Sequence, residues 1–208
     1  MPLNPKDDSG VTLVELLVAI VLLGIILVPL GNALYSFLRN TNATSDRLAE
    51  SHDAQIATAY FAQDVQSIGV RSWGTSPFSF VSSVETTGVT ATTGTYQCGP
   101  ATDPNPVIRM AWDDPTGANN RALVKIVYVV RSVSGEQQLH RLRCDGASTT
   151  PTSDAVLAHN VSAVGTPVLT GPQAGVPQSI SVTLSLKGPA NNGAAFDVIL
   201  YGQRRQTS

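Results

Sequence analysis

An apolar block near the N-terminus constrains this chain more than any other feature. Residues 11–31 read VTLVELLVAIVLLGIILVPLG and contain a single charged side chain, Glu15. At about 1.5 Å per residue, a helix of this length reaches roughly 30 Å, the thickness of the hydrocarbon core of a bilayer. We therefore predict a membrane-spanning helix over residues 11–31.

The composition limits what the rest of the chain can do. The chain has 208 residues, of which 42% are hydrophobic and 13% are charged, with a formal net charge of -2. Beyond the apolar block, this length leaves room for one domain of ordinary size. A charge so close to neutral gives no field that attracts phosphate groups, so we expect no specific nucleic-acid binding.

Hydropathy patterning divides the chain into four segments. Residues 1–10 form a polar leader that precedes the membrane helix. Residues 32–69 are predicted to continue that helix as an amphipathic one, and residues 70–208 to form an antiparallel β-sheet domain of short alternating runs. The apolar positions of the amphipathic segment recur at spacings of three and four: Ile56, Tyr60, Phe61, Val65 and Ile68.

The predicted fold class is therefore α+β, with a long N-terminal helix packed on a C-terminal antiparallel β-sheet domain. We predict a tight hairpin turn at Ser134 and Gly135 and long surface loops over residues 86–105, 145–153 and 165–178. The predicted strands are residues 78–84, 107–112, 122–133, 137–143, 155–161, 179–186 and 195–201.

A specific motif lies where the leader meets the apolar block. The sequence SGVTLVELLVAIVLLGI places Gly10 before hydrophobic Val11, with Glu15 at the fifth position counted from Val11. It resembles the class III signal peptide of type IV prepilins and type II secretion pseudopilins. The resemblance implies that prepilin peptidase cuts between Gly10 and Val11, that Val11 is then N-methylated, and that Glu15 serves subunit assembly.

The position of Glu15 has a physical meaning in this family. A carboxylate inside an apolar helix costs on the order of 2 to 3 kcal/mol or more unless it is paired. The resemblance implies that its partner is the free N-terminal amine of a neighbouring subunit. This chain has Val11 where the family usually has Phe, and Pro29 lies slightly earlier than the family's common proline.

The resemblance also implies a function and a location. It predicts a minor pilin or pseudopilin, a structural subunit without enzymatic activity or cofactor, whose partners are prepilin peptidase, other pilins or pseudopilins and the assembly platform. Residues 125–146, KIVYVVRSVSGEQQLHRLRCDG, are similar to a hairpin of larger minor pilins and the J-type pseudopilin. The protein is then a single-pass protein of the bacterial cytoplasmic membrane, with its C-terminal domain outside the cytoplasm, before it joins a cell-surface or periplasmic filament.

Other interpretations of the N-terminus remain open. Thr12 and Glu15 have the spacing of a capping box, so Glu15 can also serve to start the helix. The apolar block can belong to an ordinary signal peptide cut before Leu34, or to an uncleaved anchor. In both of these cases the alternative function is a secreted or membrane-anchored β-domain that binds a ligand through its loops.

Few other residues point to chemistry. Cys98 and Cys144 are too few for a zinc site, and we predict that they form a disulfide in an exported domain. Two free, buried cysteines are the alternative. No catalytic residue and no metal site is predicted: the histidines His52, His140 and His159 lie far apart, and Asp113 and Asp114 are interpreted as part of a solvated turn rather than a calcium site.

Overall fold

The structure is a computed structural model that describes residues 11–72, 74, 79–86, 88–114, 122–171, 175–187 and 195–205, without the side chains of residues 42 and 43. The predicted leader with Gly10, the start of the predicted strand 78–84 and the turn after Asp114 therefore lie outside the described residues. The chain forms two compact units, residues 1–45 and 46–208. One long helix contributes to both units.

Helix α1 spans Leu13–Ser67 and continues through Pro29 without a break. Thr12 is its N-cap residue, and the Thr12 carbonyl accepts the first helical hydrogen bond from the backbone N–H of Leu16 (3.1 Å). The helix ends before Gly69, which has a positive φ of 149° that favours glycine. The predicted apolar helix and the predicted amphipathic helix are thus parts of one continuous helix.

In the described residues that follow, eleven strands form three antiparallel sheets. The strands are β1 (Val70–Ser72), β2 (Ser79–Val81), β3 (Val84–Glu85), β4 (Ile108–Asp114), β5 (Ala122–Val133), β6 (Glu136–Asp145), β7 (Ser153–Ala158), β8 (Val161–Val164), β9 (Val168–Thr170), β10 (Ser179–Leu186) and β11 (Phe196–Gln203). A five-stranded sheet has the order β3-β4-β5-β6-β7, a four-stranded sheet has the order β11-β10-β8 with β9 also on β10, and β1 pairs with β2. The α+β class is confirmed.

The predicted hairpin joins β5 and β6. Val133 faces Glu136 across the turn, and the two intervening residues, Ser134 and Gly135, have φ of 54° and 87°. Positive φ at both central positions is the mark of a type I′ turn, whose twist suits two paired strands.

The predicted strand over residues 78–84 is wrong in one respect, because it divides at Ser82 and Ser83. The Ser83 hydroxyl donates to the carbonyl of Val81 (2.8 Å) and accepts the backbone N–H of Val70 (2.9 Å). The backbone N–H of Ser83 meanwhile donates to the carbonyl of Gly175 (2.6 Å). These contacts interrupt the ladder, so β2 pairs with β1 while β3 joins β4.

The predicted strand over residues 155–161 also divides, at His159 and Asn160. Asn160 adopts a φ of 52°, which asparagine tolerates better than most residues, and its backbone N–H donates to Glu136 (3.1 Å). The chain changes sheets at this point, from β7 to β8. Part of the predicted loop over residues 165–178 is the short strand β9, and β1 was not predicted.

The core of the second unit lies between helix α1 and the sheets. Phe61, Val65 and Ile68 of the predicted apolar stripe are fully buried, whereas Tyr60 is 40% exposed at its flank. Phe61 meets Tyr128 of β5 edge to face, with ring centroids 5.4 Å apart. Val65 lies so close to Gly202 of β11 that an added Cβ there would approach it to 2.4 Å, so this position needs glycine.

Candidate functional site

The start of helix α1 is a closed capping box. The Glu15 carboxylate accepts the backbone N–H of Thr12 (3.3 Å) and the Thr12 hydroxyl (3.2 Å). In return, the backbone N–H of Glu15 donates to the Thr12 hydroxyl (3.3 Å). The capping interpretation of Glu15 therefore holds in the isolated chain, where the carboxylate is held by local donors at the first turn.

The first unit presents an apolar surface. Val11, next to the predicted cleavage point, is 74% exposed, and the apolar side chains from Val11 to Leu38 are exposed in the same way. Helix α1 is long and apolar enough to cross a membrane, and its most apolar window is not buried within the fold. Such a surface needs either lipid or other helices to cover it.

In the second unit, a buried ionic cluster joins helix α1 to the five-stranded sheet. Asp64 is 2% exposed and accepts two hydrogen bonds from Arg141, from Nε at 2.7 Å and from Nη2 at 2.6 Å. The Tyr128 hydroxyl donates to the same carboxylate (2.7 Å). The Arg141 guanidinium also lies over the ring of Tyr60, 5.2 Å from its centroid.

The pKa values in this cluster follow from burial and from the shared carboxylate. Burial, together with the negative charge of Asp64, raises the pKa of the Tyr128 hydroxyl well above its usual range. Burial alone would lower the pKa of Arg141, but its hydrogen bonds and ion pair with Asp64 outweigh this effect and raise it. The cluster is thus a fixed structural tie between helix and sheet.

Sequence reasoning missed these residues, although the signal was present. Asp64 lies three residues after Phe61 and four before Ile68, which places it on the buried stripe of an amphipathic helix. A carboxylate on such a stripe requires a buried cationic or hydrogen-bonding partner. The sequence alone does not say that Arg141 is this partner, because the pairing depends on how helix and sheet meet.

The predicted disulfide is present. Cys98 and Cys144 are bonded, with a Cα–Cα distance of 5.7 Å, and both are buried on the outer side of the five-stranded sheet beside Val127, Val129 and Leu142. The bridge ties the long segment between β3 and β4 to the end of β6.

A charged network fastens the same segment further along. Arg131 on β5 donates to Asp103 of this segment (2.6 and 2.8 Å) and to Asp154 of β7 (2.5 Å). His140 Nδ1 lies 2.8 Å from the second oxygen of Asp154. Partial burial would raise the pKa of Asp154, but its hydrogen bonds to His140 and Arg131 lower it.

Of the remaining sequence candidates, His52 is exposed on α1, whereas His159 and Asp113 make structural contacts. His159 Nδ1 lies 2.9 Å from Asp53 on α1. The predicted solvated turn at Asp113 and Asp114 is wrong, because both residues belong to strand β4 and Asp113 is only 7% exposed. The carboxylate of Asp113 accepts the backbone N–H of Arg71 (2.7 Å), which joins β4 to β1. Within the described part of the chain, the side chains of His, Cys, Asp and Glu form no group of three or more placed to hold a metal ion.

Comparison with known proteins identifies the first segment. Residues 5–31 match the family model of the prokaryotic N-terminal methylation motif. The N-terminus carries a type IV prepilin signal. The predicted class III signal peptide is thereby confirmed, and it implies processing by prepilin peptidase and assembly with other pilins. The match and the exposed apolar helix together fit a membrane-anchored, type IV pilin-like protein. No curated protein and no solved structure matches the chain.

Proposed function

We propose that the protein is a minor pilin or pseudopilin, a non-enzymatic structural subunit of a type IV pilus-like or type II secretion filament. The observation that carries this proposal is the methylation motif over residues 5–31, which leads directly into an exposed apolar helix. The size of the β-domain and the hairpin over residues 125–146 favour a larger minor pilin or a J-type pseudopilin.

The proposed life cycle has three stages. The chain first sits in the cytoplasmic membrane through residues 11–31, with the disulfide-bonded β-domain outside the cytoplasm. Prepilin peptidase then removes residues 1–10 and leaves Val11 as a free, methylated N-terminus. The helix next moves from lipid into the filament core, where other helices cover its apolar surface.

Glu15 is proposed to change partners during this transfer. Before assembly, Thr12 satisfies its carboxylate through the capping box. A free amine on a neighbouring subunit would replace these neutral donors with an opposite charge, and two opposite charges attract each other more strongly than a carboxylate attracts a neutral donor, above all in an apolar surrounding. The carboxylate thus favours the assembled state over the membrane state.

Two matched substitutions test this role. Glu15→Leu is expected to leave membrane insertion intact, since it removes the one charge of the span, yet to deplete the protein from sheared filaments. Thr12→Ala breaks the capping box and keeps the carboxylate, so it is expected to enter filaments almost normally. Immunoblots of membranes and of sheared filaments measure both effects. Equal behaviour of the two variants would reduce Glu15 to a helix cap.

A further inference from the structure

Among the described residues, strand β11 forms an edge of the four-stranded sheet. Within the described part of the chain, β11 pairs only with β10, through a register in which Thr183 faces Ile199 and Ser179 faces Gln203. Unlike many natural edge strands, its sequence FDVILYGQ contains no lysine, no proline and no charged residue apart from Asp197.

The direction of the unpaired backbone groups follows from neighbouring hydrogen bonds. The carbonyl of Thr183 accepts the N–H of Gly165 (2.8 Å), so the backbone of Thr183 points away from β11. Its partner Ile199 is therefore in a non-hydrogen-bonded pair and directs its own N–H and C=O away from β10. Alternation extends this outward direction to Asp197, Tyr201 and Gln203.

A trough runs beside this edge, and helix α1 forms its other wall. Cavities of about 310 and 460 Å³ share Ser51 and Phe196, and a cavity of about 510 Å³ follows further along the strand. Small side chains on the helix, including Ala54, Ala59 and Ala62, line this trough. It therefore leaves room for a chain segment beside β11.

We infer that this trough receives an extended segment of a neighbouring subunit, which adds as a strand to the edge of β11. Only an extended polypeptide backbone offers donors and acceptors at the spacing of the outward groups of β11, and a groove between an edge strand and a helix suits this mode of binding. A helix or a lipid would leave those groups unpaired.

Side chains define the segment further. Its residues that face α1 would be small and apolar, to fit against Ala54, Ala59 and Val198. Residues on its other face would lie beside Ile199 and Tyr201, which are 65% and 51% exposed. Arg205 at the end of the trough favours an acidic side chain or a chain-terminal carboxylate there.

This inference rests on the proposed filament role, and amide hydrogen exchange tests the two separately. The processed chain extracted from membranes in detergent is compared with the same chain in sheared filaments. The amides of Asp197, Ile199, Tyr201 and Gln203 are expected to exchange at least about tenfold more slowly in filaments. If the chain is absent from filaments, the proposed function fails. If it is present but β11 exchanges equally fast, only the strand addition fails.

Two further arms identify the occupant. The amides of β11 could instead exchange slowly in the detergent-extracted chain alone, and more slowly as the concentration of that chain rises. This result would mean that β11 pairs with a second copy of the chain in detergent, and it would overturn the assignment to a neighbouring filament subunit. Ile199→Pro removes an outward N–H and no hydrogen bond to β10, which an edge strand tolerates. It is expected to lose the protection in filaments, whereas Ile199→Thr, which retains the N–H, should keep it. Equal protection in both variants would contradict strand addition.

Discussion

At the scale of single residues, the most consequential side chain in the second unit is Asp64, on helix α1. It brings a negative charge into the interface between helix α1 and the sheet, where Arg141 and Tyr128 bind it. A buried ion pair of this kind adds little net stability compared with apolar packing, yet the loss of one partner is costly because the other charge stays buried. The pair therefore fixes how helix and sheet meet.

Asp64→Asn is expected to lower the free energy of unfolding by about 3 to 5 kcal/mol, since it leaves Arg141 buried without its counter-ion. Asp145→Asn is the control, because the Arg143–Asp145 pair has side chains 38% and 42% exposed and should contribute less than about 1 kcal/mol. Chemical denaturation of the full chain in detergent measures both. A similar, small loss in the two variants would contradict the role assigned to Asp64.

Tyr96 gives the β-domain a defined alkaline limit. It is 4% exposed and donates its hydroxyl to the carbonyl of Ser82. Burial, and then the negative charges of Glu85 and Asp113, raise its pKa from 10.0 to about 12. Because the fold holds the proton more tightly than the unfolded chain does, this contribution to stability is complete below pH 10 and is lost as the pH rises through about 12.

The free energy of unfolding of the wild type is therefore expected to fall more steeply between pH 10 and pH 12 than that of Tyr96→Phe, which has no proton to lose at this position. Denaturation curves at a series of pH values give the comparison. Tyr128 titrates equally in both proteins and does not affect the difference. Parallel pH profiles would show that Tyr96 does not set this limit.

At the scale of elements, the long segment between β3 and β4 depends on ties rather than on regular structure. The Cys98–Cys144 bridge fixes its middle, the Arg131–Asp103 ion pair fixes its later part, and buried Arg109 holds its first turn through the carbonyls of Thr90 and Thr93. Because this segment makes few of the backbone hydrogen bonds that a strand would make, these side-chain contacts stabilise its conformation.

Reduction of the disulfide is expected to cost about 4 kcal/mol of stability in the chain-entropy model, for a sequence separation of 46 residues. Denaturation with and without reductant measures the loss, and Cys98→Ser with Cys144→Ser should reproduce it without reductant. Thiol labelling of denatured protein provides the direct check. The prediction is contradicted if protein made in an oxidising compartment shows two reactive thiols before reduction. That result would mean that the disulfide does not form, and it would weaken the case for an exported domain.

At the scale of the whole molecule, the sequence determined the broad organisation because the apolar block and the alternating strands are local signals. Strands β5 and β10 match their predicted bounds, and the turn at Ser134 and Gly135 follows from its composition. The division into three sheets could not be predicted, since it depends on long-range contacts such as Ser83 to Gly175 and Asn160 to Glu136. The pairing of Asp64 with Arg141 was hidden for the same reason.

The same contrast applies to function. The methylation motif lies in a continuous stretch, so sequence alone revealed it, and the family match confirms it. The open edge of β11 is visible only once the strand order is known, because its sequence resembles that of any half-buried strand. Local signals therefore identify the N-terminal motif, while the tertiary fold is needed to locate the contact surface proposed along β11.

Cleavage between Gly10 and Val11 is the step that distinguishes a pilin or pseudopilin from a protein with an ordinary signal peptide or anchor. The full chain is co-expressed with a prepilin peptidase, and the product is examined by intact mass and N-terminal sequencing. The expected product is a chain that begins at Val11, lighter by the mass of residues 1–10 apart from any N-methyl group. Replacement of Gly10 by a bulky residue should block this cut. A product that begins at Leu34, or an uncut chain, would contradict the assignment as a pilin or pseudopilin.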